Sequence, residues 1–325
     1  MQKQKEPAAQ AAGAPQPALR CPAAETAASR CPIFPGIEIL YDDVHAQKCP
    51  VRQSSGGNIL EITHCCEGRI ERAFREEFCY LSPGDLSIAL DADLGGDAYF
   101  PLAHYRGIRI RINLDRAPRC LSCFLDDVEV SPQALARKFC SGSSCFIARS
   151  NESIAHIFSE LYNVPDSIRK GYFKVKILEL LLFLSAMPVE TAETRQHIVS
   201  RAQVALAKAV CTYLTAHMDS RIPLEQLSAH FHVSGTQIKT SFRLVYGVSL
   251  YAYMRRQKME SAALMLRDTE RSVLEIAGCF GYDNGSKFSK AFKDILGVTP
   301  AAYRHRARTG EPVPAPPSPE NAAGC

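Results

Sequence analysis

The segment Val273-Leu-Glu-Ile-Ala-Gly-Cys-Phe-Gly-Tyr282 is followed, after a three-residue gap, by Ser286-Lys-Phe-Ser-Lys-Ala-Phe-Lys-Asp-Ile-Leu-Gly-Val-Thr-Pro-Ala-Ala-Tyr-Arg304. Apolar residues recur in both segments at the three-to-four-residue spacing of an amphipathic helix, as Phe288 and Phe292 do. The polar break between the segments predicts a turn with an Asp or Asn cap, and Gly297 is a typical end for the second helix. The pattern predicts a helix, a turn and a second helix.

The same pattern occurs once earlier in the chain. Phe242 recurs as Phe292 and Gly247 recurs as Gly297, both at an offset of 50 residues. The earlier copy begins with Leu224-Glu-Gln-Leu-Ser-Ala-His-Phe-His-Val-Ser234, whose apolar residues recur at an offset of 49. A turn between two helices tolerates this one-residue difference. The internal repeat therefore predicts two helix-turn-helix units.

The two units are joined by a segment, Ser249 to about Arg267, that has the pattern of one helix. At 1.5 Å per residue such a helix is ~27 Å long. Two second helices held this far apart could enter major-groove segments about one turn, ~34 Å, apart. A solenoid of helical hairpins is the alternative, but two units are too few for one.

Short polar and cationic side chains occupy the predicted outer faces of the two second helices and one position of the connecting helix. Such side chains suit contacts with base edges and phosphates. The candidate DNA-binding residues are Thr236, Gln237, Lys239, Thr240 and Arg243 in the first unit, Arg255 in the connecting helix, and Ser286, Lys287, Ser289, Lys290 and Lys293 in the second unit.

These motifs, together with Met254-Arg-Arg-Gln-Lys-Met-Glu260, make residues 222–304 resemble the DNA-binding domain of AraC/XylS-family transcriptional regulators. The resemblance covers about a quarter to a third of the chain. It implies that Thr236, Lys239 and Thr240 face bases in the first unit, whereas Gly285 leaves one such position of the second unit without a side chain. Many family members also have a cupin-like effector domain followed by dimerisation helices.

Net charge divides the chain in the same way. Residues 199–308 contain 16 Lys and Arg against 8 Asp and Glu, a net charge of +8, whereas the whole chain carries +4, so the remainder carries −4. A basic module on a mildly acidic body is typical of a protein that binds a polyanion. A solvated basic surface is the alternative that charge alone leaves open.

The region before this module reads as β and then α. Ile108, Ile110 and Ile112 alternate with polar residues between 106 and 114, which predicts a strand with one buried and one solvated face. Further short strands around the Ser82–Asp85 turn favour a small barrel or jelly roll. Helices are predicted at about 132–139, 151–162 and 167–187, and the last is apolar nearly all round. Burial within the chain and a homodimer seam both explain that helix.

The predicted fold class is therefore α+β, with a cupin-like β-barrel or jelly-roll domain, trailing helices and an all-α domain. Eleven of the 20 prolines lie in the two tails, which favours disorder there. The predicted divisions are a disordered tail 1–35, a β-rich effector domain 36–130, a helical dimerisation segment 131–190, a linker 191–199, a tandem helix-turn-helix domain 200–308 and a disordered Pro-rich tail 309–325.

Several cysteines and histidines could in principle support metal or thiol chemistry. Cys120 and Cys123 form a CxxC pair that Cys140 and Cys145 follow, a set that could bind zinc or sense redox state. Scattered reduced thiols are the simpler interpretation, because an apolar export signal is not visible and a cytoplasmic protein keeps most of its 13 Cys reduced. His104 has no sequence neighbour suited to a cupin metal site. We therefore predict no metal, no cofactor and no catalytic residue.

The sequence predicts a cytoplasmic, ligand-responsive transcription factor rather than an enzyme. Its expected partners are double-stranded DNA, a small-molecule effector held in the N-terminal domain and a second copy of the chain, with RNA polymerase as a further candidate. A membrane is not expected. The alternative is a thiol- or metal-dependent sensor, or an alkyl-transfer protein, that uses the four cysteines with the same DNA-binding module.

Overall fold

The computed structural model describes residues 26–49, 58–74, 77–119, 121, 130–141, 145–162, 164–189 and 198–312. Strands occupy the N-terminal half and helices the C-terminal third, so the predicted order of a β-rich domain before a helical domain is confirmed. No described helix is both long enough and apolar enough to cross a membrane.

The described strands of the N-terminal domain form two antiparallel sheets. The six-stranded sheet has the order β1-β2-β9-β4-β7-β10, and the five-stranded sheet has the order β11-β6-β5-β8-β3. The strands are β1 Thr26–Phe34, β2 Ile37–Val44, β3 Lys48–Cys49, β4 Ile59–Gly68, β5 Ile70–Phe74, β6 Glu77–Leu81, β7 Leu86–Leu90, β8 Leu94–Tyr99, β9 Tyr105–Asn113, β10 Phe146–Ala148 and β11 Ile198–Val199.

The larger sheet is covered on both faces. Its isoleucine-rich face, including Ile110 and Ile112, packs against three helices: α1 Pro132–Cys140, α2 Glu152–Tyr162 and α3 Arg169–Ala186. These helices lie within two residues of their predicted bounds. The other face shares a second apolar cluster with the smaller sheet. The domain is thus a layer of helices, a six-stranded sheet and a five-stranded sheet.

The polar face of β9 is not the solvated face that the alternation predicted. Arg109 Nη2 donates to Asp42 Oδ1 at 2.7 Å, and Arg72 of the smaller sheet donates to Glu61 Oε1 of the larger sheet at 2.7 Å. Burial favours a raised pKa for Glu61, but the neighbouring guanidinium groups hold that pKa below its usual value. The alternation of apolar and polar residues along a strand shows that its two faces differ, but it does not show that the polar face is in contact with solvent. Carboxylates on adjacent strands allow the polar face to be covered.

The predicted disordered tail 1–35 overlaps a strand. β1 pairs with β2 along its length, with Ser29 opposite Tyr41, and its register shifts between Pro32 and Phe34. Proline-rich composition indicates weak local structure, but it carries no information about a partner strand that supplies the missing hydrogen bonds. Residues 1–25 and 313–325 lie outside the described residues, as does most of the predicted linker 191–199. The end of that linker forms β11, which pairs with β6.

The described helices of the C-terminal domain enclose two apolar clusters. The connecting helix contributes Tyr253 and Met254 to the first cluster and Met259 and Leu266 to the second, so it belongs to both units. The helices are α4 Arg201–Ala216, α5 Leu224–Phe231, α6 Gly235–Tyr246, α7 Leu250–Asp268, α8 Val273–Cys279, α9 Gly285–Leu296 and α10 Pro300–Thr309.

Candidate nucleic-acid interface

The first helix-turn-helix unit consists of α5, a three-residue turn and α6. His232 ends α5 in the left-handed conformation, with φ of 55°, which reverses the chain direction. Ser234 then caps α6, because its hydroxyl accepts a hydrogen bond from Gln237 N at 3.2 Å. Gly247 ends α6 with φ of 76°. The predicted cap and end of this helix are confirmed.

The second unit, α8 and α9, has the same frame with different capping residues. Ser272 and Glu275 form a reciprocal capping box at the start of α8. Asn284 Oδ1 accepts from Ser286 N at 2.8 Å and caps α9, which ends at Gly297 with φ of 76°. The second helices of both units have 12 residues and end at a glycine of the same conformation, which confirms that the two units are a structural repeat.

Burial separates the inner and outer faces of α6 and α9. Ile238 and Phe242 in α6, and Phe288 and Phe292 in α9, are at most 1% exposed. All five candidate DNA-binding residues of α6 are exposed, and four of the five in α9 are exposed, with Ser289 half-buried. The structure therefore places the predicted residues together on the outer face of each second helix, where a duplex can reach them.

Arg255 has a different environment from the other candidates. It lies on α7, and its Nη2 donates to Asp294 Oδ2 of α9 at 2.6 Å. The side chain is 32% exposed. Its charge is already shared with a carboxylate on α9, so the predicted phosphate contact competes with an intramolecular ion pair.

A glycine begins each of the two second helices, Gly235 in α6 and Gly285 in α9. A Cβ at Gly235 would lie 2.7 Å from Leu224 Cδ2, whereas a Cβ at Gly285 would lie 3.6 Å from Leu274 Cδ1. The first glycine is packed against the preceding helix. The second has room for a side chain, so the bare position at the start of α9 is not imposed by packing.

Contacts between the two domains were not predicted from the sequence. Arg69, at the β4–β5 junction, donates from Nε to Val245 O at 2.9 Å and from Nη2 to Leu244 O at 2.7 Å, at the end of α6. Lys208 Nζ of α4 donates to Glu71 Oε1 at 2.8 Å. These partners are more than 130 residues apart in sequence, and no local pattern marks such pairs.

The predicted cysteine set is only partly described. Cys120 and Cys123 lie outside the described residues. Burial raises the pKa of Cys140 to about 11, and a hydrogen bond with Cys79 together with burial raises the pKa of Cys145. A raised pKa lowers the thiolate fraction, which is the nucleophilic and metal-binding form. The described members of the set therefore have the properties of buried apolar side chains.

Space for an effector is small among the described residues. A cavity between Phe74, Cys79 and Cys145 has a volume of about 10 Å³, which holds at most one water molecule. A groove of about 350 Å³ lies outside the sheets, between α2 and α3. Ile157, Leu182 and Phe183 contribute to its lining.

Comparison with known proteins finds similarity in the C-terminal domain and, for one relative, over most of the chain. Residues 227–306 match the protein-family model described as a helix-turn-helix domain. The MmsAB operon regulatory protein of Pseudomonas aeruginosa is 30% identical over 99 residues, which make up 30% of this chain and 32% of that protein. The arabinose operon regulatory protein of Escherichia coli K12 is 23% identical over 256 residues, which make up 76% of this chain and 80% of that protein.

Among solved structures, the DNA-binding domain of AdpA in complex with a target DNA is 27% identical to this chain. The match covers 33% of this chain and 97% of that one, with a TM-score of 0.30. A score this low supports no statement about the relative placement of the domains.

Two repeated helix-turn-helix units with polar and cationic outer faces define a DNA-binding protein. The relatives named above are regulatory proteins rather than enzymes, in agreement with the prediction. The C-terminal domain is a tandem helix-turn-helix domain of the AraC/XylS type, and the resemblance predicted from the motifs is confirmed. The match to the Pseudomonas protein spans about a third of that protein, so the activity of the whole chain is a separate question.

Proposed function

We propose that this chain is a sequence-specific DNA-binding transcriptional regulator whose N-terminal domain controls the DNA-binding domain. The observation that carries the proposal is the pair of helices α6 and α9, which we call the recognition helices. Each has a capping residue, ends at a glycine and exposes its polar face. Lys239 and Lys290 stand on these faces, and the domain around them carries a net charge of +8. Both features favour binding to a duplex over binding to another protein.

Control by a small-molecule effector is part of this proposal. The N-terminal domain contains charged residues between its sheets, among them the buried Glu61 and the half-buried Arg72, which could hydrogen-bond a polar ligand. The smaller sheet also contacts α4 and α6 through Lys208 and Arg69. A ligand that changed the spacing of the sheets would therefore act on the first helix-turn-helix unit. We also propose that the N-terminal domain has a cupin-like fold, and the two packed antiparallel sheets support this assignment.

A homodimer is proposed from the exposed apolar side chains of α3. Val175 and Leu182 are 62% and 39% exposed and are spaced by seven residues, so they lie on one helix face. This face borders the groove between α2 and α3. A second copy that covered it would bury apolar surface at the seam that the sequence predicted. A protein that binds chromosomal DNA must be in the compartment that holds the DNA, so we propose the cytoplasmic location expected from the sequence. RNA polymerase is a further proposed partner.

The proposal is tested by selecting binding sites from random duplexes with the full chain. We expect enriched sequences with two conserved segments about one helical turn apart, one for each recognition helix. The Lys239→Ala variant should lose preference in one segment, whereas Lys290→Ala should weaken binding to all duplexes. Enrichment of no sequence, with a weak and sequence-independent affinity, would contradict the proposal.

The thiol-based alternative is less well supported. It requires accessible, low-pKa cysteines, whereas burial raises the pKa of Cys140 to about 11. Cys145 is 6% exposed. DNA binding by a Cys140→Ser/Cys145→Ser variant at unchanged affinity would favour the regulator over the thiol-dependent sensor.

A further inference from the structure

A group of potential metal ligands lies at one end of the larger sheet, outside the DNA-binding domain. Asp43, His45 and His104 each place one ligand atom within 4.8 Å of the others. His45 Nε2 is 3.1 Å from Asp43 Oδ1, and the rings of His45 and His104 stack at 5.1 Å between centroids. His104 has no partner nearby in the sequence, since His45 precedes it by 59 residues.

The strand register brings these residues together. β2 pairs with β9 so that Val44 lies opposite Tyr105, which places His45 beside His104. Asp43 and His45 are two residues apart on one chain segment and so share a side of it. The convergence is therefore a consequence of the sheet and not of a flexible loop alone.

A second neighbouring strand supplies a further carboxylate. Glu67, at the end of β4, lies with its Oε2 3.3 Å from His104 Nε2 and its Oε1 3.2 Å from Arg106 Nη1. Gly68 allows the approach, because a Cβ there would lie 2.0 Å from His104 O. A carboxylate that holds one nitrogen of an imidazole ring is a typical second partner of a metal-binding histidine.

One carboxylate oxygen of Asp43 is turned into this group of ligands. Among the described residues, its Oδ1 atom is screened from solvent and has no hydrogen-bond partner. A carboxylate oxygen shielded in this way is costly unless a cation or donor compensates it. The nearest histidine nitrogen, His45 Nε2, lies 3.1 Å from this oxygen, and the Asp43 side chain as a whole is 50% exposed.

We propose that Asp43, His45 and His104 bind a divalent transition-metal ion, with Glu67 as the residue that positions His104. Two imidazoles and one carboxylate suit Zn²⁺, Co²⁺ or Ni²⁺, whereas Mg²⁺ and Ca²⁺ favour sites made entirely of oxygen atoms. Bonds of about 2.0–2.1 Å to a tetrahedral ion place ligand atoms roughly 3.4 Å apart. The present spacing reaches this value with small side-chain rotations, and water completes the coordination.

The site is connected to the DNA-binding domain. His104 follows Leu102, which packs against the apolar cluster of the first helix-turn-helix unit. Phe100 N donates to Gln47 O at 2.8 Å, so the segments that carry His45 and His104 are already joined. A bound ion fixes both segments and, through Leu102, restricts the contact with the first unit.

The test is a Co²⁺ titration of the reduced full chain, followed by visible absorption and thermal unfolding. We expect one equivalent of Co²⁺ to bind without a thiolate-to-cobalt charge-transfer band and to raise Tm. H45A and H104A should each weaken Co²⁺ binding more than tenfold and abolish the shift in Tm, and Glu67→Gln should weaken binding about tenfold. The exposed His156 provides the matched control, and H156A should bind as the unmodified chain does.

Asp43→Asn keeps the experiment decisive if a histidine variant unfolds, because it retains size and removes the carboxylate ligand. Equal Co²⁺ affinity in all ligand variants, a thiolate band in the spectrum, or no stoichiometric binding would each overturn the proposal. The site is independent of the proposed regulatory function, since metal binding is measured without DNA.

Discussion

Arg69 of the N-terminal domain caps the C-terminal end of the first recognition helix: its Nη2 donates to Leu244 O at 2.7 Å and its Nε to Val245 O at 2.9 Å. The last carbonyl groups of a helix lack intrahelical donors and carry partial negative charge, so a guanidinium is a favourable partner. Burial lowers the pKa of Arg69 to about 10, with the nearby Arg149 acting in the same direction, yet the group stays charged at neutral pH. The N-terminal domain and the DNA-binding domain are thus joined at the C-terminal end of α6.

Arg69→Ala should loosen this junction. The variant loses two charge-assisted hydrogen bonds to buried carbonyl groups, and we expect the free energy of unfolding to fall by about 1–3 kcal/mol. Urea denaturation followed by circular dichroism measures the change. Arg30→Ala is the control, because Arg30 is exposed and pairs with Glu38 within the N-terminal domain. Equal stability of the Arg69 and Arg30 variants would show that the capping contacts contribute nothing.

Lys239→Ala and Lys290→Ala should affect DNA binding in different ways. Lys239 is expected to contact base edges, so its loss should relax sequence preference in one half-site. Lys290 is expected to contact phosphate, so its loss should weaken binding to all duplexes and reduce the salt slope of log K by about 1. Electrophoretic mobility shifts at several salt concentrations measure both effects. Lys170→Ala, an exposed lysine on α3, should change neither.

Substitutions at the two members of the ion pair between Arg255 and Asp294 should change DNA affinity in opposite directions. Arg255→Ala should weaken DNA binding, because a cation is lost from the interface. Asp294→Asn should strengthen it severalfold, because the carboxylate is removed and Arg255 is released. The double variant should bind no more tightly than Arg255→Ala. If Asp294→Asn tightened binding equally with and without Arg255, the effect would come from the lost negative charge alone.

The C-terminal domain was predictable because its signals are local and repeated. Phe242 and Phe292 mark equivalent positions of the core, and Gly247 and Gly297 end the two helices with the same φ of 76°. Caps, helix ends and apolar spacing act within a few residues of chain, so the sequence alone carries them. Once these buried positions are known, the remaining positions of each helix are expected to be exposed, and they include the candidate DNA-binding residues.

The N-terminal domain was less predictable because its defining contacts are distant in sequence. The alternation around Arg109 indicated a strand with two unlike faces, but Asp42 and Glu61, which pair with this arginine, are supplied by other strands. Strand β1 was missed for the same reason, since its hydrogen bonds come from β2 rather than from its own composition. Long-range pairing is set by register, and one sequence contains no direct record of it.

His64 should make stability depend on pH. Its ring stacks on Phe158 at 4.1 Å between centroids, and burial lowers its pKa from 6.5 to about 4. In the unfolded chain the imidazole binds a proton near pH 6.5, whereas in the folded chain it binds one only near pH 4. The free energy of unfolding is therefore retained above pH 6.5 and falls as the pH decreases from 6.5 to about 4. The full loss is about 3 kcal/mol. Urea unfolding of His64→Phe at pH 7 and pH 5 should show a smaller decrease than the unmodified chain, and an equal decrease would assign the effect to other groups.

Leu182→Glu should reveal whether the face of α3 is an interface between two copies. Leu182 is 39% exposed beside the groove formed with α2, and a carboxylate there would be buried without a partner in a dimer. We expect a shift from dimer to monomer in light scattering coupled to size-exclusion chromatography, with at least a tenfold weaker self-association. Leu264→Glu is the matched control, because this leucine of α7 is 38% exposed and lies in the other domain. A dimer that survives Leu182→Glu, or one that only Leu264→Glu dissociates, would place the interface elsewhere.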